Sequence, residues 1–387
     1  MGTKAELYQI VADTLINNSF DVVTCVPGFG ATQVFERILN TYPKLASQCF
    51  NEEAAFSVCT GASLFGARSA CLVKTHGLAK MANAVCSTLS VGTNAANIIF
   101  AFDDSTGKSS DNIFDAKKLI EGLDAPFVIA NDDIESSIDK AIEISERLKL
   151  PVIVYIDCEV LNKEYHYNSK KFKYSKTKFQ KNPNQYVACP PLSKYQRAIF
   201  LNKKDSSAPL TIEEPNLSKL IPSALPPHLK KVFNSYEFFF DAFSEIKPDF
   251  VSGDAGTSSL FAFHHNSYID ACTYMGGSPG MALGAYLAGA KNSWSITGDF
   301  SFLAAGILGF NEIISRNAPI KIVVFRNGIA GATGGQNIPS AVFDNFIKGH
   351  SHLINNIEHN ITNNNLVTRL EEINEVQKPQ IIIVNLN

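Results

Sequence analysis

Charged side chains are scarce in this sequence of 387 residues. Asp, Glu, Lys and Arg make up 18% of it, whereas an average soluble protein has about 25%. The 34 basic residues nearly balance the 37 acidic ones, which leaves a formal net charge of -3. Proteins that wrap nucleic acid usually carry a basic surplus. The composition therefore excludes a disordered, charge-dominated chain and argues against a nucleic-acid partner.

Long apolar runs are absent as well. No stretch approaches the uninterrupted run of about 18 apolar residues that predicts a transmembrane helix. The segment 1–15 starts with polar residues and lacks the apolar centre of a signal peptide. We therefore expect a cytoplasmic protein that has no membrane partner.

The cysteines lack the spacing of a metal site. Eight are present, but none lies two or three residues from another. This excludes the common spacings of zinc ribbons and iron–sulfur centres. Most of them stand in apolar runs, as Cys25 and Cys158 do. We expect buried, reduced thiols.

Short apolar strand patterns that alternate with helical patterns fill most of the chain. Over residues 1–161 the strand patterns include VVTC, SACLVKT, NIIFAF and PVIVYID. The alternation resumes near residue 233 and ends with the strand pattern PQIIIVNLN. Such alternation predicts an α/β fold with mostly parallel sheets that helices cover on both faces.

The stretch 162–232 interrupts this alternation. Its first part is basic and has no apolar period, and its second part is rich in closely spaced prolines. A structureless loop of this length is unusual inside one domain. We interpret it as a solvated linker rather than as a basic nucleic-acid patch. The sequence therefore predicts one domain over 1–161 and a second over 233–387.

Two polar residues follow neighbouring strand patterns in the second domain. Asp299 ends the pattern SWSITGD, and Asn327 follows the pattern IKIVVFR, 28 residues later. An isolated Asp before a helix is most often an N-cap. However, a strand–helix–strand unit of about 30 residues places two parallel strand ends side by side. A carboxylate and an amide oxygen beside a helix N-terminus suit Mg²⁺ and a phosphate group.

This Asp–Asn arrangement resembles the diphosphate motif of thiamine diphosphate-dependent enzymes. The resemblance implies that Asp299, Asn327 and the backbone carbonyl of Ile329 hold Mg²⁺. Phe300 stands where the motif usually has Gly, a variation that also occurs in 2-oxoacid:ferredoxin oxidoreductases. The other Gly-Asp pair, at Asp254, has no Asn at the corresponding distance and does not repeat the motif.

The resemblance extends to the first domain. The run Phe50-Asn51-Glu52-Glu53 is similar to the Asn-Glu segment of pyrimidine-binding domains. It implies that Glu52 hydrogen-bonds the aminopyrimidine ring, so that the cofactor can deprotonate its own thiazolium carbon. Glu53 is the alternative residue for this role. Taken alone, the two acids could simply open a helix.

Several loops add implied contacts. CVPG is similar to a Gly-x-Pro-Gly turn of the pyrimidine-binding domain, and GDAGTSS and MGGSPGM are similar to loops of the diphosphate-binding domain. Pro279 stands where many relatives have a bulky aliphatic residue under the bent cofactor, so Met275 or Met281 is expected to replace it. The implied cofactor contacts are Pro27, Gly28, Glu52, Thr257, Ser258, Met275, Gly277, Ser278, Gly298, Asp299, Phe300, Ser301, Asn327 and Ile329.

His76 is the second candidate catalytic residue, beside Glu52. It precedes the Gly-Leu of a loop that resembles the one beside the thiazolium ring. His76 could donate to a substrate carboxylate or move a proton, and a neutral, packed histidine is the alternative. The remaining substrate candidates are Ser109, Ser110, His264 and His265.

Two groups of thiamine diphosphate enzymes are the most similar. FAFDDSTGKSSDNIFDAKKL is similar to a segment of indolepyruvate ferredoxin oxidoreductase large subunits, but their cysteine-rich ferredoxin segment is missing here. Domain order and length are instead similar to phosphonopyruvate and sulfopyruvate decarboxylases. Both resemblances imply two thiamine diphosphate-binding-fold domains, first pyrimidine-binding (PYR) and then diphosphate-binding (PP). Because the two domains that hold one cofactor usually come from different chains, we expect a homodimer or a homotetramer.

The resemblance implies a thiamine diphosphate- and Mg²⁺-dependent enzyme that acts on a small 2-oxo acid. We expect a non-oxidative decarboxylase or carboligase, because the sequence has neither iron–sulfur spacings nor a dinucleotide motif at the start of a domain. Two alternatives stay open. One is the catalytic subunit of a 2-oxoacid oxidoreductase that uses a separate redox partner, and the other is a non-catalytic relic that binds the cofactor.

Overall fold

The computed structural model describes residues 3–130, 133–168, 171–205, 212–263 and 267–386. The chain divides into two compact units, Met1–Phe179 and Gln180–Asn387. Each unit contains a six-stranded sheet in which all neighbouring strands are parallel. The predicted α/β class with mostly parallel sheets is therefore confirmed.

The first unit alternates strands and helices along the chain. Its strands are β1 (Thr3–Glu6), β2 (Val22–Cys25), β3 (Ala46–Gln48), β4 (Ser69–Lys74), β5 (Asn97–Asp103), β6 (Phe127–Ile129), β7 (Val152–Asp157) and β8 (Glu164–Tyr167). Its helices are α1 (Leu7–Asn17), α2 (Ala31–Thr41), α3 (Glu52–Leu64), α4 (Thr75–Lys80), α5 (Ala82–Val91), α6 (Ala116–Gly122) and α7 (Ile134–Leu148).

The parallel sheet of the first unit has the order β3-β2-β4-β5-β7-β6, and β1 pairs with β8 in a separate antiparallel ribbon. All seven residues of β5 are buried, because helices cover both faces of a parallel sheet. Helix α3 begins where the side chain of Asn51 accepts hydrogen bonds from Glu53 N (2.9 Å) and Ala54 N (3.2 Å), which is an N-cap.

The second unit repeats this plan. Its strands are β9 (Phe250–Gly253), β10 (Ala271–Cys272), β11 (Ser293–Gly298), β12 (Lys321–Arg326), β13 (Ile329–Ala330), β14 (Gln336–Asn337), β15 (Ile354–Glu358) and β16 (Gln380–Asn385). Its helices are α8 (Pro183–Tyr186), α9 (Ser193–Lys204), α10 (Leu217–Leu220), α11 (Pro227–Phe243), α12 (Ser278–Leu287), α13 (Asp299–Ser301), α14 (Ile307–Ser315), α15 (Ser340–Gly349) and α16 (Asn363–Glu375).

The parallel sheet of the second unit has the order β10-β9-β11-β12-β16-β15. A π-helical turn over Phe302–Gly306 joins α13 to α14. Helix α11 carries aromatic rings into the core, where Tyr236 stacks on Phe325 of β12 with ring centroids 4.0 Å apart. None of the helices in the described ranges is long and apolar enough to cross a membrane.

The stretch 162–232 differs from the structureless linker that the sequence predicts. Its first part runs along the first unit, where Phe172 N donates to Asn17 O (2.8 Å) and Thr177 N donates to Gly66 O (3.2 Å). Its second part contains α8, α9, α10 and the start of α11. Pro183 and Pro227 each occupy the first position of a helix, where the missing N–H of proline costs nothing. Proline therefore marks helix starts here.

Seven of the eight cysteines are buried, Cys86 is exposed, and all eight are free. This agrees with the expectation of reduced thiols and adds one surface thiol to it.

Gly66 is where the extended segment after β8 touches the first unit. A Cβ on Gly66 would lie 1.7 Å from Thr177 O, and the φ angle of Gly66 is +98°. We predict that Gly66→Ala lowers the free energy of unfolding by about 1–3 kcal/mol, because alanine strains this backbone and displaces the segment. Gly122→Ala is the matched control, since nothing lies within 4 Å of a Cβ there. It should be neutral or stabilising by up to about 1 kcal/mol in urea unfolding, and an equal loss in both variants would contradict the prediction.

Candidate functional site

The carboxyl ends of β11 and β12 lie side by side in the second unit, with Gly298 opposite Phe325. Asp299 begins α13 directly after β11. Its Oδ2 accepts a hydrogen bond from Gly328 N (2.7 Å), and its Oδ1 accepts one from Phe300 N (2.9 Å). The Asp299 carboxylate therefore joins the ends of both strands, and the predicted convergence of the two strand ends is present.

The Asp299 carboxylate lies in a dry environment. The residue is 3% exposed, and this burial raises the pKa of Asp299, while the Gly328 and Phe300 amides act in the opposite direction. Each carboxylate oxygen has further lone-pair capacity beyond the one amide that it accepts. A cation at this carboxylate would favour the ionised form that burial disfavours.

A tyrosine holds the side chain of Asn327. Asn327 Nδ2 donates to Tyr236 Oη (3.1 Å), and Asn327 Oδ1 accepts from Ile329 N (3.0 Å). Burial raises the pKa of Tyr236, and the nearby Asp299 carboxylate adds to this effect. The Ile329 N–H can only donate, so it fixes which end of the amide carries the oxygen, and that oxygen keeps a second lone pair.

One pocket collects most of the predicted cofactor contacts of the second unit. It encloses about 100 Å³, which is below the roughly 300 Å³ at which pockets begin to hold a whole drug-sized ligand. On its own it can therefore take only one end of a cofactor. The predicted residues that line it are Thr257, Ser258, Met275, Gly298, Asp299, Phe300, Ser301, Asn327 and Ile329.

Gly277 and Ser278, which the resemblance places against the cofactor, lie outside this pocket. Both are buried, and Ser278 is fully buried. Ser278 N donates to the carboxylate of Asp254 (2.8 Å). The amide of Ser278 is therefore already bonded to a carboxylate of the protein.

The two methionines proposed as cofactor supports differ in position. Met275 lines the pocket and is 38% exposed. Met281 is fully buried in α12, where its sulfur accepts a hydrogen bond from Thr273 Oγ1 (3.6 Å). Of the two, only Met275 reaches the pocket.

In the first unit, Glu52 lies against the first turn of α4, which directly follows β4. A Cβ on Gly77 would be 2.7 Å from Glu52 Cγ, so only glycine leaves room for this side chain. Glu52 Oε2 is shielded from solvent and makes no well-aligned hydrogen bond within the described residues. The ammonium group of Lys80, which is 55% exposed, lies 3.1 Å from it.

The structure separates Glu52 from its alternative, Glu53. Glu53 Oε1 accepts a hydrogen bond from Asn83 Nδ2 (3.3 Å), and burial raises the pKa of Glu53. Glu52 instead contacts Gly77, the neighbour of the second candidate, His76. The structure thus places Glu52 against Gly77 of α4 and pairs Glu53 with Asn83 of α5.

The two ring nitrogens of His76 have different surroundings. Nε2 faces Asn112 Oδ1, which can only accept, so Nε2 carries the proton. Nδ1 is buried and has no hydrogen-bond partner in the described part of the chain. The Phe114 ring packs edge-on against the imidazole, 4.9 Å between centroids. The unpartnered Nδ1 is therefore an acceptor that can take up a proton, and it can donate to a substrate carboxylate only after it has done so.

Ser109 and Ser110, two of the substrate candidates, are held by a carboxylate. Asp104 accepts from Ser109 N (2.7 Å) and Ser110 Oγ (2.8 Å), and Lys74 Nζ donates to Ser110 Oγ (2.7 Å). These serines thus shape the loop after β5. Sequence analysis assigned no role to Lys74 or to Asp104.

The remaining predicted residues are Pro27, Gly28, His264 and His265. Pro27 is exposed and Gly28 half-buried after β2. A Cβ on Gly28 would be 2.6 Å from Lys74 Cγ, so the turn sits directly under that side chain. His264 and His265 lie outside the described residues.

The donor set of the second unit fits Mg²⁺ and diphosphate. No cluster of three or more His, Cys, Asp or Glu side chains occurs within the described ranges. Oxygen atoms are nevertheless available from the Asp299 carboxylate, the Asn327 amide and backbone carbonyl groups. Mg²⁺ is usually bound by one or two carboxylates together with substrate phosphates and water.

Comparison with known proteins gives the class. Residues 254–365 match the family "Thiamine pyrophosphate enzyme, C-terminal TPP binding domain". The matched segment lies within the second unit, and the recognition of the chain as a relative of the thiamine diphosphate-dependent enzymes is confirmed.

The chain is also similar to individual known proteins. The indolepyruvate oxidoreductase subunit IorA of Methanothermobacter marburgensis is 24% identical over 196 residues, which is 49% of this chain and 32% of that protein. Thus the chain spans about a third of this curated relative. A protein from Mycobacterium smegmatis assigned as a thiamin diphosphate-dependent enzyme has a TM-score of 0.67 and 14% identity over 99% of both chains. The thiamine diphosphate-dependent 4-hydroxybenzoylformate decarboxylase of Rhodococcus jostii RHA1 gives the same values.

The Tyr236 hydroxyl offers a test of how the pocket is held. Tyr236→Phe keeps the ring stack on Phe325 but leaves Asn327 Nδ2 without its acceptor. We predict a rise of about fivefold in the Kd for thiamine diphosphate with Mg²⁺, since one hydrogen bond contributes about 1 kcal/mol. Titration calorimetry measures this change. Tyr286→Phe, in α12 and away from the pocket, is the control, and an equal effect there would refute a specific role for Tyr236.

Proposed function

We propose that this protein is a thiamine diphosphate- and Mg²⁺-dependent enzyme that decarboxylates or ligates a 2-oxo acid without oxidising it. The observation that carries the proposal is the bond from Gly328 N to Asp299 Oδ2 (2.7 Å). It holds a buried carboxylate and the Asn327 loop at one pocket inside the segment that matches the thiamine pyrophosphate-binding domain.

In the second unit, Asp299, Asn327 and the Ile329 carbonyl would hold Mg²⁺. The diphosphate would lie along Thr257, Ser258 and the turn over Gly298, Phe300 and Ser301. When bound, thiamine diphosphate supplies the electron sink for cleavage of the bond beside a carbonyl group. The residues of this pocket bind and orient one end of the cofactor and keep it away from water.

In the first unit, Glu52 would bind the pyrimidine ring. Its shielded Oε2, without a well-aligned hydrogen bond in the described ranges, is the kind of group that a ligand donor completes. The exposed Lys80 ammonium can move away as the ligand enters. His76 would take up a proton at Nδ1, and the protonated ring could then return that proton or donate to the substrate carboxylate.

The proposal includes an oligomer, because the proposed cofactor contacts belong to two different units of the chain. The pocket of the second unit can take one end of a cofactor, and Glu52 lies in the first unit. The resemblance implies that these halves come from different chains. We therefore propose a homodimer or a homotetramer, with no nucleic-acid or membrane partner.

A second candidate is the catalytic subunit of a 2-oxoacid oxidoreductase. The sequence match to the indolepyruvate oxidoreductase subunit favours it. An enzyme of that kind needs a redox centre, and the described residues contain no cluster of three or more His, Cys, Asp or Glu side chains. This candidate therefore requires a separate redox partner, whereas the fold shared with the 4-hydroxybenzoylformate decarboxylase supports the non-oxidative reaction.

Release of carbon dioxide decides between these candidates. The panel comprises pyruvate, phenylpyruvate, indolepyruvate, 4-hydroxybenzoylformate, phosphonopyruvate and sulfopyruvate, with thiamine diphosphate and Mg²⁺ but no electron acceptor. Steady release over many turnovers is expected, and the best substrate defines the class. Release that begins only after a ferredoxin or flavin acceptor is added would overturn the non-oxidative proposal.

The role of Glu52 can be tested with a matched pair. We predict that Glu52→Gln lowers turnover by about 100-fold or more, because it removes a positioned acid–base group. Diphosphate binding should remain, since the Mg²⁺ side of the site lies in the second unit. Glu53→Gln should keep turnover, because its carboxylate bonds Asn83 instead. If Glu53→Gln loses turnover and Glu52→Gln keeps it, the assignment is reversed.

A further inference from the structure

We propose that Asp254 is a positioning residue that fixes three wall segments of the thiamine diphosphate pocket. The inference rests on the proposed function, because it concerns how the same pocket is held. Asp254 follows β9, is 1% exposed, and does not itself line the pocket. Sequence analysis does not assign Asp254 to the Asp–Asn motif, because no Asn follows it at the motif distance.

Asp254 connects three parts of the chain through separate bonds. Its backbone N donates to Ile296 O (3.1 Å) and extends the contact between β9 and β11. Its Oδ1 accepts from Ser278 N (2.8 Å), and its Oδ2 accepts a short hydrogen bond from Thr297 Oγ1. The carboxylate thus lies between the ends of β9 and β11 and the start of α12.

Each connected part leads directly into the pocket wall. Residues 255–258 follow Asp254, Met275 lies three residues before Ser278, and Gly298 and Asp299 follow Thr297. The pocket is lined by 255–258, Met275, Gly298 and Asp299. Gly276 packs tightly against the π-helical turn, because a Cβ on Gly276 would lie 2.5 Å from Ala305 Cβ. Movement at Asp254 would therefore displace the wall on three sides.

Burial of the Asp254 carboxylate lowers the stability of the fold. Its bonds come from a neutral hydroxyl and from backbone amides, and burial raises the pKa of Asp254 to about 6. A buried carboxylate that has no cationic partner lowers the stability of a fold. Its presence therefore points to a purpose other than stability. Fixing the loops that bind an anionic cofactor is such a purpose.

The same two strands offer a control at their opposite ends. Asp249 precedes β9, and its Oδ2 accepts from Lys291 N (2.8 Å) and Asn292 N (3.1 Å) just before β11. It is exposed and lies away from the pocket. Asp249→Ala therefore removes a comparable pair of bonds between the same strands without touching the pocket wall.

The first measurement is amide hydrogen exchange of the full chain without cofactor. Asp254→Ala should accelerate exchange in peptides that cover 255–258, 275–278 and 297–299. Asp249→Ala should accelerate exchange near 290–293 and leave those three segments unchanged. If Asp254→Ala leaves the three segments as protected as in the wild type, the positioning role is wrong.

The second measurement is the Kd for thiamine diphosphate with Mg²⁺. Asp254→Ala should weaken binding about tenfold or more, since two wall contacts are lost. Asp254→Asn should restore affinity to within about threefold, because its oxygen can accept from Ser278 N and its NH₂ can donate to Thr297 Oγ1. The Thr297 hydroxyl can then donate to Gly298 O, which lies 3.2 Å away.

The outcomes separate the two proposals. Equal affinity in Asp254→Ala and wild type, or an equal loss in Asp249→Ala, overturns the positioning role while cofactor binding stands. If the wild-type chain binds no thiamine diphosphate, the proposed function fails. The exchange experiment still decides in that case whether Asp254 fixes the three segments.

Discussion

The hydrogen bond from Gly328 N to Asp299 Oδ2 is the contact on which the site of the second unit depends. Parallel strands end at the same edge of a sheet, so a residue after β11 and a residue after β12 become neighbours. The Asp299 carboxylate uses this closeness to fix the loop that carries Asn327. Tyr236 then fixes the Asn327 amide from α11. The pocket is thus a consequence of strand order, and the side chains refine it.

The first unit uses the same rule with different residues. Gly28 follows β2, His76 follows β4 and Asp104 follows β5, and these three strands are neighbours in the order β2-β4-β5. Lys74 packs over Gly28 and bonds the loop that Asp104 organises. Polar groups that are far apart in sequence therefore meet at one sheet edge. This edge is where the candidate pyrimidine-binding residue Glu52 also contacts Gly77.

The sequence predicted the features whose signal is local. Apolar strand patterns and their alternation with helices identified the α/β class, and the spacing of Asp299 and Asn327 identified one strand–helix–strand unit. Tyr236 and Asn112 were missed because each reaches its partner through the tertiary fold, Tyr236 from a helix 91 residues before Asn327. The stretch 162–232 was misjudged because proline signals both loops and helix starts. The cofactor role of Ser278 stays a prediction, and the bond from its amide to Asp254 could not be read from the sequence because the two residues are 24 positions apart.

Buried carboxylates are the shared electrostatic feature of these sites. Burial raises the pKa of both Asp254 and Asp299. For Asp254 the folded-state pKa of about 6 exceeds the usual aspartate value of 3.8. The folded state therefore binds a proton that the unfolded state releases between these values, so this group adds stability as pH falls through that window and costs stability above pH 6. The chain thus carries an electrostatic cost near neutral pH at the same edge that offers oxygen ligands. A bound cation at Asp299 would offset part of that cost, because it binds the folded state alone and favours the ionised carboxylate.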